Sequence, residues 1–271
     1  MSTCALDLRM KKLNFVKMTG AGNDFVVIDA ISRKEVYFVL AKRLCERRTG
    51  IGADGLLVIE KSKKADFMMR IFNSDGSEAD MCGNGLRCAV AYMGRKKSKI
   101  ETRAGIYHGE ITDKDIVKVT MVEPRGLRQD VSIKINERFM KVNFINTGVP
   151  HAVVFVQGID EIDVNSIGRE IRYHEEFRPA GANVDFVEIV DDKNIKMRTY
   201  ERGVEGETLA CGTGATASVL IASYKLRVAN CVNVRVKGGL LKVYFKKKGS
   251  KISDVYLEGE AREVFQGGFY V

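Results

Sequence analysis

The chain has 271 residues, 45% of them apolar, only three prolines and a formal net charge of +9. That length and apolar content suit two domains of ordinary size, each with its own core, and exclude a disordered chain. No run approaches the ~20 apolar residues of a membrane span. The basic excess falls in short runs such as Arg95-Lys96-Lys97 and Lys246-Lys247-Lys248, which read as solvated hairpin tips able to attract an anionic substrate. Without aromatic interleaving or a recognised module they make no case for nucleic acid.

In chain order, Met1 to Lys12 has no apolar h-region, so no secretory signal is expected. Met10-Lys11-Lys12-Leu13 resembles a start site, so residues 1–9 read as an extension. A β-branched strand then leads to a Thr19-Gly20 turn and an apolar strand, Phe25 to Ile28. Ser32 with Glu35 three residues on forms a capping-box signature. Val36, Val39, Leu40 and Leu44 supply a helical stripe, and Gly50 is a plausible stop. Gly55 to Glu60 and Phe67 to Phe72 read as a hairpin, followed by a polar loop and the helix start Met81-Cys82-Gly83-Asn84-Gly85. Strands are expected from about Lys99 to Met121.

The second half repeats this order. Thr147-Gly148 and Val153 to Val156 match Thr19-Gly20 and Phe25 to Ile28 at a shift of 128. A weaker helix is predicted over about Val164 to Tyr173. A hairpin follows from Val184 to Val190 and Ile195 to Tyr200, then the helix start Ala210-Cys211-Gly212-Thr213-Gly214, and strands from about Val232 to Leu257. The two cysteines lie 129 residues apart. A period this long means two similar domains rather than an array of short repeats. The expected class is mixed α+β, with two pseudo-symmetric domains over residues 10–125 and 126–271 and the last strand free to return to the first. In each, a mostly antiparallel sheet wraps round a central helix, because both Cys-Gly-x-Gly helices lack a charged face over their first turns apart from Arg87.

Six cysteines without CxxC pairs or histidines at zinc spacing suggest free thiols in a reducing cytoplasm and no metal site. Taken singly, Cys82 and Cys211 would pass for small core residues. As an equivalent pair at helix N-termini they point to chemistry, since the helix dipole and free N–H groups favour a thiolate. A thiolate on one face of a carbon can remove a proton while a thiol on the other face returns one, inverting a stereocentre without a cofactor. The α-proton of an amino acid is only feebly acidic. Two helix N-termini converging on the carboxylate, through Gly83, Asn84, Gly212 and Thr213, would hold the charge that develops there.

These residues match a family. Gly20-Ala21-Gly22-Asn23-Asp24-Phe25, Gly50-Ile51-Gly52-Ala53-Asp54-Gly55, Phe72-Asn73-Ser74-Asp75-Gly76-Ser77-Glu78-Ala79 with Met81-Cys82-Gly83-Asn84-Gly85, and Glu201-Arg202-Gly203 leading to Glu207-Thr208-Leu209-Ala210-Cys211-Gly212-Thr213-Gly214 closely resemble diaminopimelate epimerases. The resemblance runs from about Leu13 to the C-terminus. It implies interconversion of LL- and meso-diaminopimelate on the route to lysine and peptidoglycan, without pyridoxal phosphate or metal, by a cytoplasmic homodimer. Carried over by position, Cys82 and Cys211 are the acid–base pair. Asn23, Asn73, Asn183, Glu201 and Arg202 contact substrate, Gly83-Asn84 and Gly212-Thr213 hold a carboxylate, and His151 and Glu201 bias the thiols. Val149 stands where many members carry asparagine, which puts one distal contact in doubt. The alternatives are a racemase for another amino acid, such as proline or hydroxyproline, and a redox protein whose two thiols form a reversible disulfide.

Overall fold

The computed structural model describes residues 12–31, 36–225, 228–249 and 251–270. The chain opens with an antiparallel pair, β1 (Lys12–Gly20) and β2 (Asn23–Asp29). Ala21 and Gly22, both in the left-handed region, make the two-residue turn that suits the twist of such a pair. Helix α1 (Tyr37–Cys45) crosses to β3 (Gly55–Glu60), which lies parallel to β2 and antiparallel to β4 (Phe67–Asn73). After β5 (Glu78–Ala79) come α2 (Gly83–Met93) and the meander β6 (Lys97–Thr102), β7 (Gly105–Asp113) and β8 (Ile116–Thr120).

The second half repeats the layout. The hairpin β9 (Arg125–Ile135) and β10 (Arg138–Asn146) leads to β11 (Pro150–Phe155) and α3 (Val164–Tyr173). Next are β12 (Asn183–Ile189), parallel to β11, then β13 (Asn194–Glu201) and β14 (Gly206–Thr208). Helix α4 (Gly212–Lys225) precedes β15 (Cys231–Val236), β16 (Gly239–Lys248), β17 (Lys251–Glu260) and β18 (Arg262–Tyr270). The strands form one hydrogen-bonded sheet, antiparallel except for β2–β3, β4–β6, β11–β12 and β13–β15. Those exceptions fall at matching places in the two halves. The final strands cross back, β17 pairing with β8 as well as β16, and β18 with β1.

Helices α2 and α4 are the centres about which the strands pack. Helix α2 touches β1 to β4, β7 and β8, and α4 touches β10 to β13, β15 and β16. Gly83 through Val90 are all buried, as are Gly214 through Ser223. An apolar side chain such as Leu86, Val90, Leu220 or Ile221, none of them exposed, contributes about 1.5–3 kcal/mol when fully buried. That gain holds each helix inside its sheet. The architecture is mixed α+β, as the repeat and the apolar helices predict.

Helix α3 and the hairpins fall where the pattern places them. Four details differ. Thr19 and Gly20 close β1, pairing with Asp24 and Asn23, so the turn expected there falls at Ala21-Gly22. Helix α1 starts at Tyr37 and buries Tyr37, Leu40, Ala41 and Leu44, whereas Val39 of the expected stripe is 40% exposed. The Ser32–Glu35 capping box, like Cys4 and residues 1–9, lies outside the described residues. Gly50 follows the helix by five positions; it is glycine because an added Cβ would stand 2.1 Å from the Arg43 carbonyl oxygen. Finally, Arg95 to Lys97 lead from α2 into β6 and are not a hairpin tip, whereas Lys246 to Lys248 do end β16 beside its hairpin turn.

Candidate active site

Both cysteines stand one residue before a central helix. Cys82 is the N-cap of α2, extended at φ −142°, and its Sγ accepts from the Gly85 N–H at 3.5 Å. Cys211 precedes α4 and is 6% exposed; its Sγ lies 3.4 Å from the Thr213 hydroxyl. The two helix starts converge. A Cβ at Gly212 would lie 3.9 Å from the Gly83 Cα and 3.7 Å from the Asn84 Oδ1, and only 2.7 Å from Leu257. Leu257, on the strand shared by both halves, would also be 3.4 Å from a Cβ at Gly83. The glycines therefore allow two positive helix ends to meet over one apolar wedge, and the Asn84 amide reaches across to the Ala210 carbonyl at 3.5 Å.

The surroundings of the two thiols differ in chemistry. Beside Cys82, the Asn84 amide donates to the Asn23 Oδ1, and the Asn23 Nδ2 donates to Asp54 at 3.0 Å. Beneath it lies Arg87, fully buried, donating to the Asn84 Oδ1 at 2.9 Å and to the Gly83 and Glu260 carbonyls. Those acceptors are neutral. Beside Cys211, the Thr213 Oγ1 is 2.9 Å from the His151 Nε2, and the His151 Nδ1 is 2.7 Å from the Asp185 Oδ2. Thr199 donates to the other Asp185 oxygen at 2.7 Å. His151 and Asp185 are both wholly buried. Gly214 is glycine because the carboxylate sits against its turn of the helix, 2.3 Å from where a Cβ would be.

Burial pushes both thiols above their ordinary range, and Cys211 well above it. The helix N–H groups and the Thr213 hydroxyl pull the other way and do not prevail. This corrects the expectation that the helix ends favour a thiolate in the free protein: desolvation of a small buried anion outweighs them. The Glu201 carboxylate adds to the upward push on both thiols, and Asp185 on Cys211, while Arg87 acts to lower Cys82. Glu201 is itself raised, chiefly by burial.

The remaining predicted residues fall into two groups. Asn183, buried, donates to the Pro150 carbonyl at 3.3 Å and accepts from the Arg202 backbone N–H at 2.8 Å, so it pins the loop that carries Arg202. The half-buried Arg202 head group reaches the Ala180 carbonyl at 3.4 Å. Asn73 is exposed at the end of β4 and donates to the Ser77 hydroxyl at 2.9 Å; it is not joined to the thiol networks. Val149 lies in the turn before β11, its carbonyl accepting from Thr147 at 3.2 Å. Sequence reasoning missed Asp185 and Thr199. The signal was present: a lone aspartate in the apolar strand Asn183-Val184-Asp185-Phe186-Val187 must find a buried partner.

No helix among the described residues is long and apolar enough to cross a membrane. The profile of the diaminopimelate epimerase family matches residues 15–126 and 143–264, one segment in each half. A diaminopimelate epimerase from Methanocella arvoryzae is 42% identical, over 95% of this chain and 97% of its own. One from Aquifex aeolicus is also 42% identical, over 94% and 97%. Among solved structures, a phenazine biosynthesis protein from Bacillus anthracis shares the fold with a TM-score of 0.74 at 19% identity, over 97% of this chain and 100% of that one. A probable proline racemase from Agrobacterium radiobacter does so with 0.69 at 18%, over 94% and 92%. With the family matched in both halves and such relatives aligned along nearly their whole length, the chain belongs to the diaminopimelate epimerase family.

Proposed function

We propose that this protein interconverts LL-2,6-diaminopimelate and meso-2,6-diaminopimelate, an isomerase step of lysine and peptidoglycan precursor synthesis, with Cys82 and Cys211 as the acid–base pair. The observation that carries this reading is the convergence of the two helix N-termini that follow Cys82 and Cys211, so close that a Cβ on Gly212 would lie 3.9 Å from the Gly83 Cα. The α-carboxylate of the substrate is received by the N–H groups of Gly83-Asn84 and Gly212-Thr213. As one thiolate takes the α-proton, the C–H electron pair moves into the carboxylate, and the two helix ends meet the growing charge with fixed donors. The opposite thiol then delivers its proton to the other face. Every acid, base and oxyanion donor in this scheme is a protein group, so no cofactor or metal takes part.

Both thiols are pushed up by burial, so one must be held as a thiolate when substrate arrives. The substrate ammonium, entering beside Glu201, and the helix ends supply the attraction. Asn23, Asn73, Asn183, Glu201 and Arg202 hold the polar groups of the substrate, with the planar Arg202 fork suited to a second carboxylate. Water exclusion strengthens these contacts, and closure of the halves on substrate follows from that need. The functional units are the repeats 10–125 and 126–271. The assembly is a cytoplasmic homodimer, a state that sedimentation of the purified protein checks.

The test is conversion of LL-diaminopimelate by reduced protein without added cofactor, followed by chiral chromatography, with L-proline and trans-4-hydroxy-L-proline as rival substrates. Meso product from diaminopimelate alone supports the reading. Inversion of a proline and not of diaminopimelate would move the assignment to the racemases that share this fold.

A further inference from the structure

The chain of groups behind Cys211 ends on a buried carboxylate that the epimerase scheme does not use. Sγ, the Thr213 Oγ1, the His151 Nε2 and Nδ1, and the Asp185 Oδ2 follow one another at 3.4, 2.9 and 2.7 Å. Each group has one partner on each side. Thr199 holds the outer Asp185 oxygen, and Gly214 leaves room for the carboxylate. Glu201 on β13 also acts on Cys211, raising it, and the Cys82 thiol stands at the head of α2, whose start meets that of α4. Among the described residues of the first half, the matching positions are the amides Asn84 and Asn23, which also lead to a carboxylate, Asp54, but cannot change protonation and so cannot relay a proton. Strand β3 sets Gly55 opposite Phe25, where β12 sets Asp185 opposite Val153.

We infer that Asp185, His151 and Thr213 form a proton wire that serves Cys211 alone, with Asp185 as the positioning residue that keeps Nδ1–H of the imidazole directed at itself. The inference rests on the acid–base reading of Cys211 above. With Nδ1–H donated to Asp185, the neutral imidazole offers its Nε2 lone pair to the Thr213 hydroxyl, whose oxygen then accepts from the Cys211 S–H. The wire acts in one concerted shift. The S–H bond breaks and its proton joins the Thr213 oxygen, while the proton already on that oxygen moves to Nε2. The products are a Cys211 thiolate receiving an O–H from Thr213, and an imidazolium between that hydroxyl and the Asp185 carboxylate. The total of protons and charge is unchanged, and no solvent is needed. Reversal restores the thiol. Cys211 can therefore pass between base and acid inside a dry site, whereas Cys82 depends on exchange with substrate or water.

The sign of one measurement separates this from simple charge effects. An aspartate acting only as a nearby anion disfavours the thiolate, so Asp185→Asn would move Cys211 deprotonation to lower pH. An aspartate acting through the wire favours the imidazolium–thiolate pair, so the same change would move it to higher pH. The experiment is iodoacetamide alkylation of the free protein across pH, in a Cys82→Ala background, with modification of the Cys211 peptide read by mass spectrometry and folding checked by circular dichroism. The wire predicts that Asp185→Asn and Thr213→Val each shift the profile up by about one pH unit, a roughly tenfold slower reaction near neutrality. Thr213→Ser, which keeps the hydroxyl, should follow the parent, and the Asp185→Asn/Thr213→Val pair should be no slower than either alone. Profiles that superimpose on the parent, or that move down in Asp185→Asn, overturn the wire. If Asp185→Asn does not fold, the contrast between Thr213→Val and Thr213→Ser decides. Alkylation needs no substrate, so an epimerising protein with unmoved profiles rejects the wire alone, and shifted profiles in a protein that does not epimerise reject the functional reading alone.

Discussion

The two halves of this molecule give their thiols the same backbone and opposite electrostatics. Cys82 and Cys211 both precede a helix through Gly-x-Gly, and in both the fourth helical turn-mate ties back to the first residue: Arg87 to the Gly83 carbonyl, and Thr216 to the Gly212 carbonyl. Yet Asn84, two residues after Cys82, joins the Asn23 amide and a buried cation, while Thr213, two residues after Cys211, leads to a buried histidine and carboxylate. Burial disfavours the Arg87 charge, while Cys88, Cys82 and Glu260 nearby act to hold it. The repeat thus sets both thiols on the same backbone, and the different residues behind each helix give them distinct surroundings.

The largest expected effect tests whether both halves are needed. Cys82→Ala and Cys211→Ala should each lower kcat/KM for epimerisation by at least about 10³-fold, and the double variant should be little worse than either, as for groups that act as a unit. A single variant that keeps substantial inversion would break the two-thiol symmetry. Next in size is the shared carboxylate. Because Glu201 pushes both thiols up, Glu201→Gln should shift the rising limb of the kcat pH profile to lower pH while weakening substrate binding. An unshifted limb would mean that Glu201 only binds.

Smaller effects probe the packing that separates the halves. Gly214→Ala should cost about 1–3 kcal/mol in urea unfolding, because its Cβ would strike the Asp185 carboxylate. The pseudo-equivalent Gly85→Ala has 3.1 Å to the end of Leu57 and should cost less. On the first half alone, burial would raise Asp24, but hydrogen bonds from Arg47 and Lys17 hold it down to about 2. A carboxyl depressed in the fold contributes stability above its unfolded value near 4, lost as pH falls toward 2. Asp24→Asn should therefore destabilise the protein by about 1–2 kcal/mol at pH 7, after allowing for solvent screening, with the difference shrinking below pH 4 in thermal melts. The smallest effect is Val149→Asn: a change in KM within about threefold, since its half-buried side chain lies in the turn before β11.

Much of this was legible from residues alone. The paired Cys-Gly-x-Gly starts, the constant offset of about half the chain and the apolar central helices follow from periodicity and glycine placement, and α3 lies over Val164–Tyr173 as read. What stayed hidden depends on contacts between distant segments. Leu257 becomes the wedge under both helix ends only because β17 is paired with β8 and β16 together. The sequence marks Asp185 as an aspartate that needs a buried partner, but which partner is set only by the parallel pairing of β11 and β12, which brings it under His151. The resting state of the thiols was misjudged for a related reason. The helix end is a local feature visible in sequence, whereas the burial that opposes it comes from the whole fold.

The most direct test is to incubate reduced protein with LL-diaminopimelate in D₂O and to analyse stereoisomers and α-deuterium by chiral chromatography and mass spectrometry. The account predicts meso product carrying one solvent deuterium at the inverted carbon, and no such product from Cys82→Ala or Cys211→Ala. Inversion that retains the substrate proton in every product, or inversion that survives loss of either thiol, would contradict it.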